Sequence, residues 1–182
     1  MISFVIFSFL NGLYFSVVQF SYFFILQTNI SSTYITYMTV VIAWMVGVLA
    51  GLWFEKITVD TLIVSGVISY YGVYELVVHD PFSPLGLPLA ALGVSITGMW
   101  AGRFFVVMLP LWQQTDRLFF HENNGFLVGI VATFVGFTLL GRGFILWTPS
   151  LSAALLFLGM RWLIRIDHRK ENDKEKVAEE GD

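Results

Sequence analysis

Long apolar runs dominate the sequence, and the polar positions between them are few and clustered. A run of about 20 apolar residues crosses the hydrocarbon core of a bilayer as a helix. Six such runs are legible, at 2–26, 37–54, 61–78, 87–112, 125–140 and 144–164. The polar connections at 27–36, 55–60, 79–86, 113–124 and 141–143 are short. Short connections join antiparallel neighbours and leave no room for an extramembrane domain. The expectation is an all-α fold, a polytopic transmembrane bundle of six spans over residues 1–166. The last residues, 167–182, are charged and nearly free of apolar side chains, so they are expected as a cytoplasmic tail that is disordered or a frayed helix. The first run lacks a basic leader and a small-residue cleavage site, so it is expected to stay in the mature chain rather than serve as a signal peptide.

Composition reinforces this pattern. The chain is 57% apolar and 13% charged, with a mean hydropathy of +0.75, against about 25% charged in an average soluble domain. Too few polar side chains remain to cover a globule in water. The first 54 residues carry no Asp, Glu, Lys or Arg. The absence of cysteine excludes disulfides and thiolate metal sites. A net charge of -3 offers no basic surface, so nucleic acid is excluded as a partner.

Positive residues stay on the cytoplasmic side of membrane helices. With the N-terminus inside, Lys56, Arg117, Arg161, Arg165, Arg169, Lys170, Lys174 and Lys176 are cytoplasmic and Arg142 alone is external. Both termini are therefore expected inside. Trp53, Trp112 and Trp162 then fall at the cytoplasmic ends of spans 2, 4 and 6, where an aromatic belt belongs.

Within the spans, Gly47 with Gly51, Gly98 with Gly102 and Gly125 with Gly129 supply small residues that let helices approach, in ordinary bundle packing or in a dimer. Span 1 carries a polar stripe of Ser8, Asn11, Gly12, Ser16, Gln19 and Tyr22 that must face protein or water, as hydrogen-bonding glue or as a solute path. Ionisable groups inside spans are functional candidates. Glu75 and Arg103 qualify, and Glu122 stands just before span 5. Arg103 is expected to pair with Glu75 or Glu122, completing a polar network with Gln19 and Asn11. His79, His121 and His168 lie outside the spans, and no metal, haem, nucleotide or nucleophile motif is present, so no metal, cofactor or enzymatic activity is expected. Asn29-Ile30-Ser31 fits a glycosylation pattern close to the membrane. No repeat relates spans 1–3 to spans 4–6 at the level of sequence.

Two segments carry a family resemblance. Gly12 and Gln19, followed by Ala43-Trp44-Met45-Val46-Gly47-Val48-Leu49-Ala50-Gly51, resemble the first two membrane helices of the polytopic spermidine-synthase-like proteins. Glu122-Asn123-Asn124-Gly125-Phe126-Leu127-Val128-Gly129, with Leu109-Pro110-Leu111 upstream, resembles a later helix of that family. The departures are Phe24 in place of the family's Arg and Ser32-Thr33-Tyr34 in place of its Gly-Asn-Glu run. The resemblance implies a bacterial or archaeal membrane domain without the soluble aminopropyltransferase-like half. On these grounds the leading expectation is a non-catalytic subunit or anchor of a complex in the inner (plasma) membrane, bound to lipid and to other membrane proteins or to further copies of itself. The alternative is a small transporter for a polar or cationic, polyamine-like solute.

Overall fold

A computed structural model describes the backbone at residues 2–30, 34–54, 56–112 and 114–179, with side chains to Trp162. It is all-helical: α1 (Ile2–Asn29), α2 (Tyr34–Trp53), α3 (Val59–His79), α4 (Gly86–Trp112), α5 (Thr115–Leu140) and α6 (Arg142–Glu179). All six are long and apolar enough to cross a bilayer, which makes this a multi-pass membrane protein. Thr58 starts α3 by accepting the Thr61 amide on its hydroxyl, in place of the carbonyl partner that a first turn lacks. Gly141 ends α5 at φ +58°, a left-handed backbone that a side chain would strain.

One boundary differs from the sequence expectation. Helix α5 begins at Thr115 rather than Gly125, because the polar stretch 115–124 alternates with Leu118 and Glu122 on a single buried stripe continuing to Gly125, Gly129 and Thr133. Glu122 thus stands inside a helix rather than before one. The backbone of residues 167–179 continues α6, the helical one of the two alternatives for this tail, as no Pro or Gly interrupts the chain between Gly159 and Gly181.

Helix α1 is central and touches all five others, and α4 lies beside it. The tightest packing is between parallel helices: α5 on α1, and α2 on α4. At each of these seams glycines bring backbones into contact. A methyl group on Gly125 would strike the Phe9 carbonyl and one on Gly12 the Glu122 carbonyl; on the other seam Gly47 meets the Ser95 carbonyl and Gly98 the Trp44 carbonyl. The far ends are tied by Arg142 donating to Asn29 (2.9 Å) and by Arg161 to Asp60 (3.4 Å). The starts of α1, α3 and α5 therefore share one end of the bundle with the ends of α2, α4 and the membrane part of α6. By the Lys and Arg count this is the end expected to face the cytoplasm.

Candidate site at an inverted-repeat axis

The two glycine seams are copies of each other. An offset of 86 residues carries Phe9, Gly12, Leu13 and Ser16 of α1 onto Ser95, Gly98, Met99 and Gly102 of α4, and an offset of 78 carries Trp44, Gly47, Val48 and Gly51 of α2 onto Glu122, Gly125, Phe126 and Gly129 of α5. Every backbone approach named above has its counterpart under these offsets. The third helices follow: Gly93 of α4 meets Val73 of α3, while Phe7, its equivalent, meets Gly159 of α6. Helices α1–α3 and α4–α6 are thus repeats of opposite orientation, related by a pseudo-two-fold axis in the membrane plane. The expectation of no repeat is corrected. Sequence could not reveal it, because what recurs is the smallness of a few positions rather than the identity of many.

The axis passes between α1 and α4, where buried polar side chains gather. Trp100 donates its indole N–H to Asn11 Oδ1 (2.9 Å), and Asn11 gives its own Nδ2 hydrogen to the Phe7 carbonyl (2.8 Å). Under the 86-residue offset Asn11 becomes Thr97 and Trp100 becomes Tyr14; Thr97 and the Tyr14 hydroxyl both lie against Gly66. Tyr22 and Thr97 share a hydrogen bond of 3.0 Å, and the Thr97 hydroxyl lies 3.0 Å from the Gly93 carbonyl. One hydroxyl has one proton, so with Thr97 donating to that carbonyl, Tyr22 donates to Thr97. Tyr70 stacks edge-on against Tyr22 at 5.0 Å and donates to the Ile145 carbonyl of α6 (2.6 Å). Tyr71 reaches Leu146 and Ser150 of the same helix. Asn11, Thr97, Tyr22 and Tyr70 are all fully buried. Neutral donors and acceptors framed by aromatic rings thus lie at the level where the two repeats meet.

Of the span 1 stripe, Ser8, Asn11, Gly12, Ser16 and Tyr22 are buried in the protein and Gln19 is half-buried. Ser16 is held by its own helix, at 3.0 Å from the Leu13 carbonyl. The ionisable candidates separate. Glu75 lies in the outer part of α3, 63% exposed, with its carboxylate 3.1 Å from His79. Arg103 is half-buried and sits 17 residues into α4, roughly 25 Å from the outer end at 1.5 Å per residue. The contact of Thr97 with Gly66 places Arg103 level with the first turn of α3, not its last. The Arg103–Glu75 pair is therefore corrected: the two groups stand at opposite ends of the bundle. Among the described residues the ion pairs are Glu75–His79 and Asp60–Arg161, and neither joins Arg103 to Glu122. Glu122 is only 7% exposed, on the α5 face that packs against Gly12 of α1.

The role of Trp100, Thr97 and Tyr70 was hidden from sequence reading, because each looks like an ordinary core residue until the fold brings α1, α3 and α4 together. Among the described residues no three His, Asp or Glu side chains gather as metal ligands would. Comparison with family models, curated proteins and solved structures finds no match.

Proposed function

We propose that the protein is a small secondary transporter of the cell inner membrane that carries a polar or cationic, polyamine-like solute. One observation carries the reading: an inverted repeat whose axis runs through a buried polar cluster. Transporters built from inverted repeats bind solute near the bilayer midplane at the repeat interface and expose it to alternate sides by moving one repeat against the other. Asn11 and Thr97 both stand well inside their helices, away from either end of α1 and α4. The rings of Tyr14, Tyr22, Tyr70 and Trp100 suit an ammonium group or a hydroxylated solute, because aromatic faces attract cations. The proposal assigns the chain no catalysis.

A non-catalytic subunit or anchor is the second reading. It is favoured by α6, whose backbone runs on to Glu179, 17 residues past Trp162, where its membrane-crossing part ends, and so offers a partner a helical surface outside the bilayer. Proteoliposome uptake of labelled spermidine and of amino acids, run beside mild-detergent affinity purification, separates the two. Saturable uptake lowered several-fold by Asn11→Ala and Thr97→Val, in variants that remain monodisperse, is expected. No uptake of any tested solute, together with a stoichiometric partner protein, would favour the subunit.

A further inference from the structure

The repeat equivalence sets Glu122 against Trp44: the same backbone position on the two glycine seams holds a carboxyl on one and an indole on the other. Both side chains are buried. Among the described residues the Glu122 carboxyl has no hydrogen-bond or ion-pair partner. An unpaired carboxylate in this setting is costly, whereas the neutral acid is far less so. Side chains lean toward the N-terminus of their helix, which for α5 is the cytoplasmic end. There a cavity of about 320 Å³ opens between Phe4 of α1, Leu111 and Trp112 of α4, Gln114 just before α5 and Arg117 of α5. Arg117 precedes Glu122 by five residues, roughly 7.5 Å along the helix.

We propose that Glu122 is a proton-binding site, filled in this conformation from the cytoplasm through that cavity. Resting on the transporter reading, its proton couples to solute movement: the neutral acid lets the α1–α5 seam close as it does here, and loss of the proton to water requires the seam's inner end to open. The step is a simple transfer, with the carboxyl O–H bond breaking and the proton passing to water in the cavity. The titratable and charged groups around it are few. On α5 itself Asp116 and Arg117 are exposed, and His121 stacks beside Trp112 at 5.5 Å between ring centres. Among the described residues the titratable side chains of α1 are Tyr14 and Tyr22, and their hydroxyls lie against Gly66 of α3 and Thr97 of α4 rather than against α5. Arg103 of α4 makes no ion pair with Glu122, and Arg161 of α6 is held by Asp60. These are the helices packed on α5.

The test uses the full chain in lipid nanodiscs. Infrared difference spectra taken across a pH titration should show the carbonyl band of a buried protonated carboxyl that disappears at alkaline pH and is missing in Glu122→Gln. Dicyclohexylcarbodiimide, which reacts with protonated carboxyls in apolar surroundings, should label wild-type Glu122, and mass spectrometry should show that adduct falling to background as pH rises. The labelling needs only the wild-type chain, so it stands even where Glu122→Gln fails to fold. A band unchanged in Glu122→Gln, or no adduct at Glu122 at any pH, overturns the proposal. Solute uptake indifferent to a proton gradient, with Glu122 unlabelled, removes the proton site and leaves the transporter. Protonation of Glu122 with no uptake of any solute does the reverse.

Discussion

At the residue scale, the hydrogen bond from Trp100 to Asn11 is the clearest link across the axis. Removing the amide strands a buried indole N–H. An unsatisfied buried donor costs about 1–3 kcal/mol in general, but interhelical bonds in membrane proteins average only about 0.6 kcal/mol in double-mutant cycles. The lower figure is expected to win, because the unfolded helices still find partners in the membrane. Asn11→Ala and Trp100→Phe should each destabilise the bundle, with a coupling of about 0.6–1.7 kcal/mol in the double mutant, read by denaturation in mixed detergent micelles. Additive single effects would show that the bond contributes nothing to stability. The polarity of Asn11 was legible in the sequence, since an amide amid Phe and Leu must find a partner. That its partner is an indole on α4 was not legible, because the pairing spans 89 positions.

At the element scale, the seams depend on the lack of side chains at Gly12, Gly47, Gly51, Gly98, Gly102, Gly125 and Gly129, each facing another helix. Gly51→Val and Gly129→Val occupy equivalent places and should both sharply reduce monodisperse protein, since the group they add meets backbone or a buried hydroxyl rather than a yielding side-chain tip. Gly72 and Gly143 face open space, so Gly72→Ala should be neutral or stabilising by about 0.5–1 kcal/mol through helix propensity. Size-exclusion chromatography and thermal melts of the three variants check the contrast. The small-residue pairs and the six spans were legible from sequence because length, apolarity and spacing encode them directly. The first turns of α5 were not, since their polar residues cluster as a loop would and only the burial of Leu118 and Glu122 shows a helix. The Arg103–Glu75 pairing failed for a related reason: depth along a bundle follows from the register of helices, which one sequence does not fix.

At the scale of the whole molecule the repeats are equivalent in register but not in every contact. Helix α3 touches α1, through Tyr22 against Tyr70, and α5 touches α6, whereas among the described residues α6 does not touch α4 and α2 does not touch α3. On the transporter proposal, such asymmetry is what one state of an alternating pair presents, the other state being reached when the halves trade arrangements. The equivalent of Tyr22 is Met108, and the offset that carries Val73 to Gly159 carries Tyr70 to Leu156. The chain has no native cysteine to interfere. A variant with Met108→Cys and Leu156→Cys should therefore be joined by a short bis-thiol reagent in part of the population, and one with Tyr22→Cys and Tyr70→Cys in another part, the fractions shifting oppositely with pH or solute. Complete joining of the second pair with none of the first under all conditions would show a single rigid arrangement.

Three is an odd number, and that has a consequence for the segment 80–85 between α3 and α4. A three-helix unit finishes on the face opposite the one where it began. Its successor, starting there at once, runs through the membrane upside down, and only an added crossing could turn it upright. The six-residue hinge and the pseudo-two-fold axis are thus a single constraint on how the chain is threaded. The constraint also decides where charge falls: Lys56 in the first half and Arg142 in the second occupy equivalent places 86 residues apart, so the inversion carries the one basic residue of the second half's corresponding turn to the outer face. There Asn29 receives it.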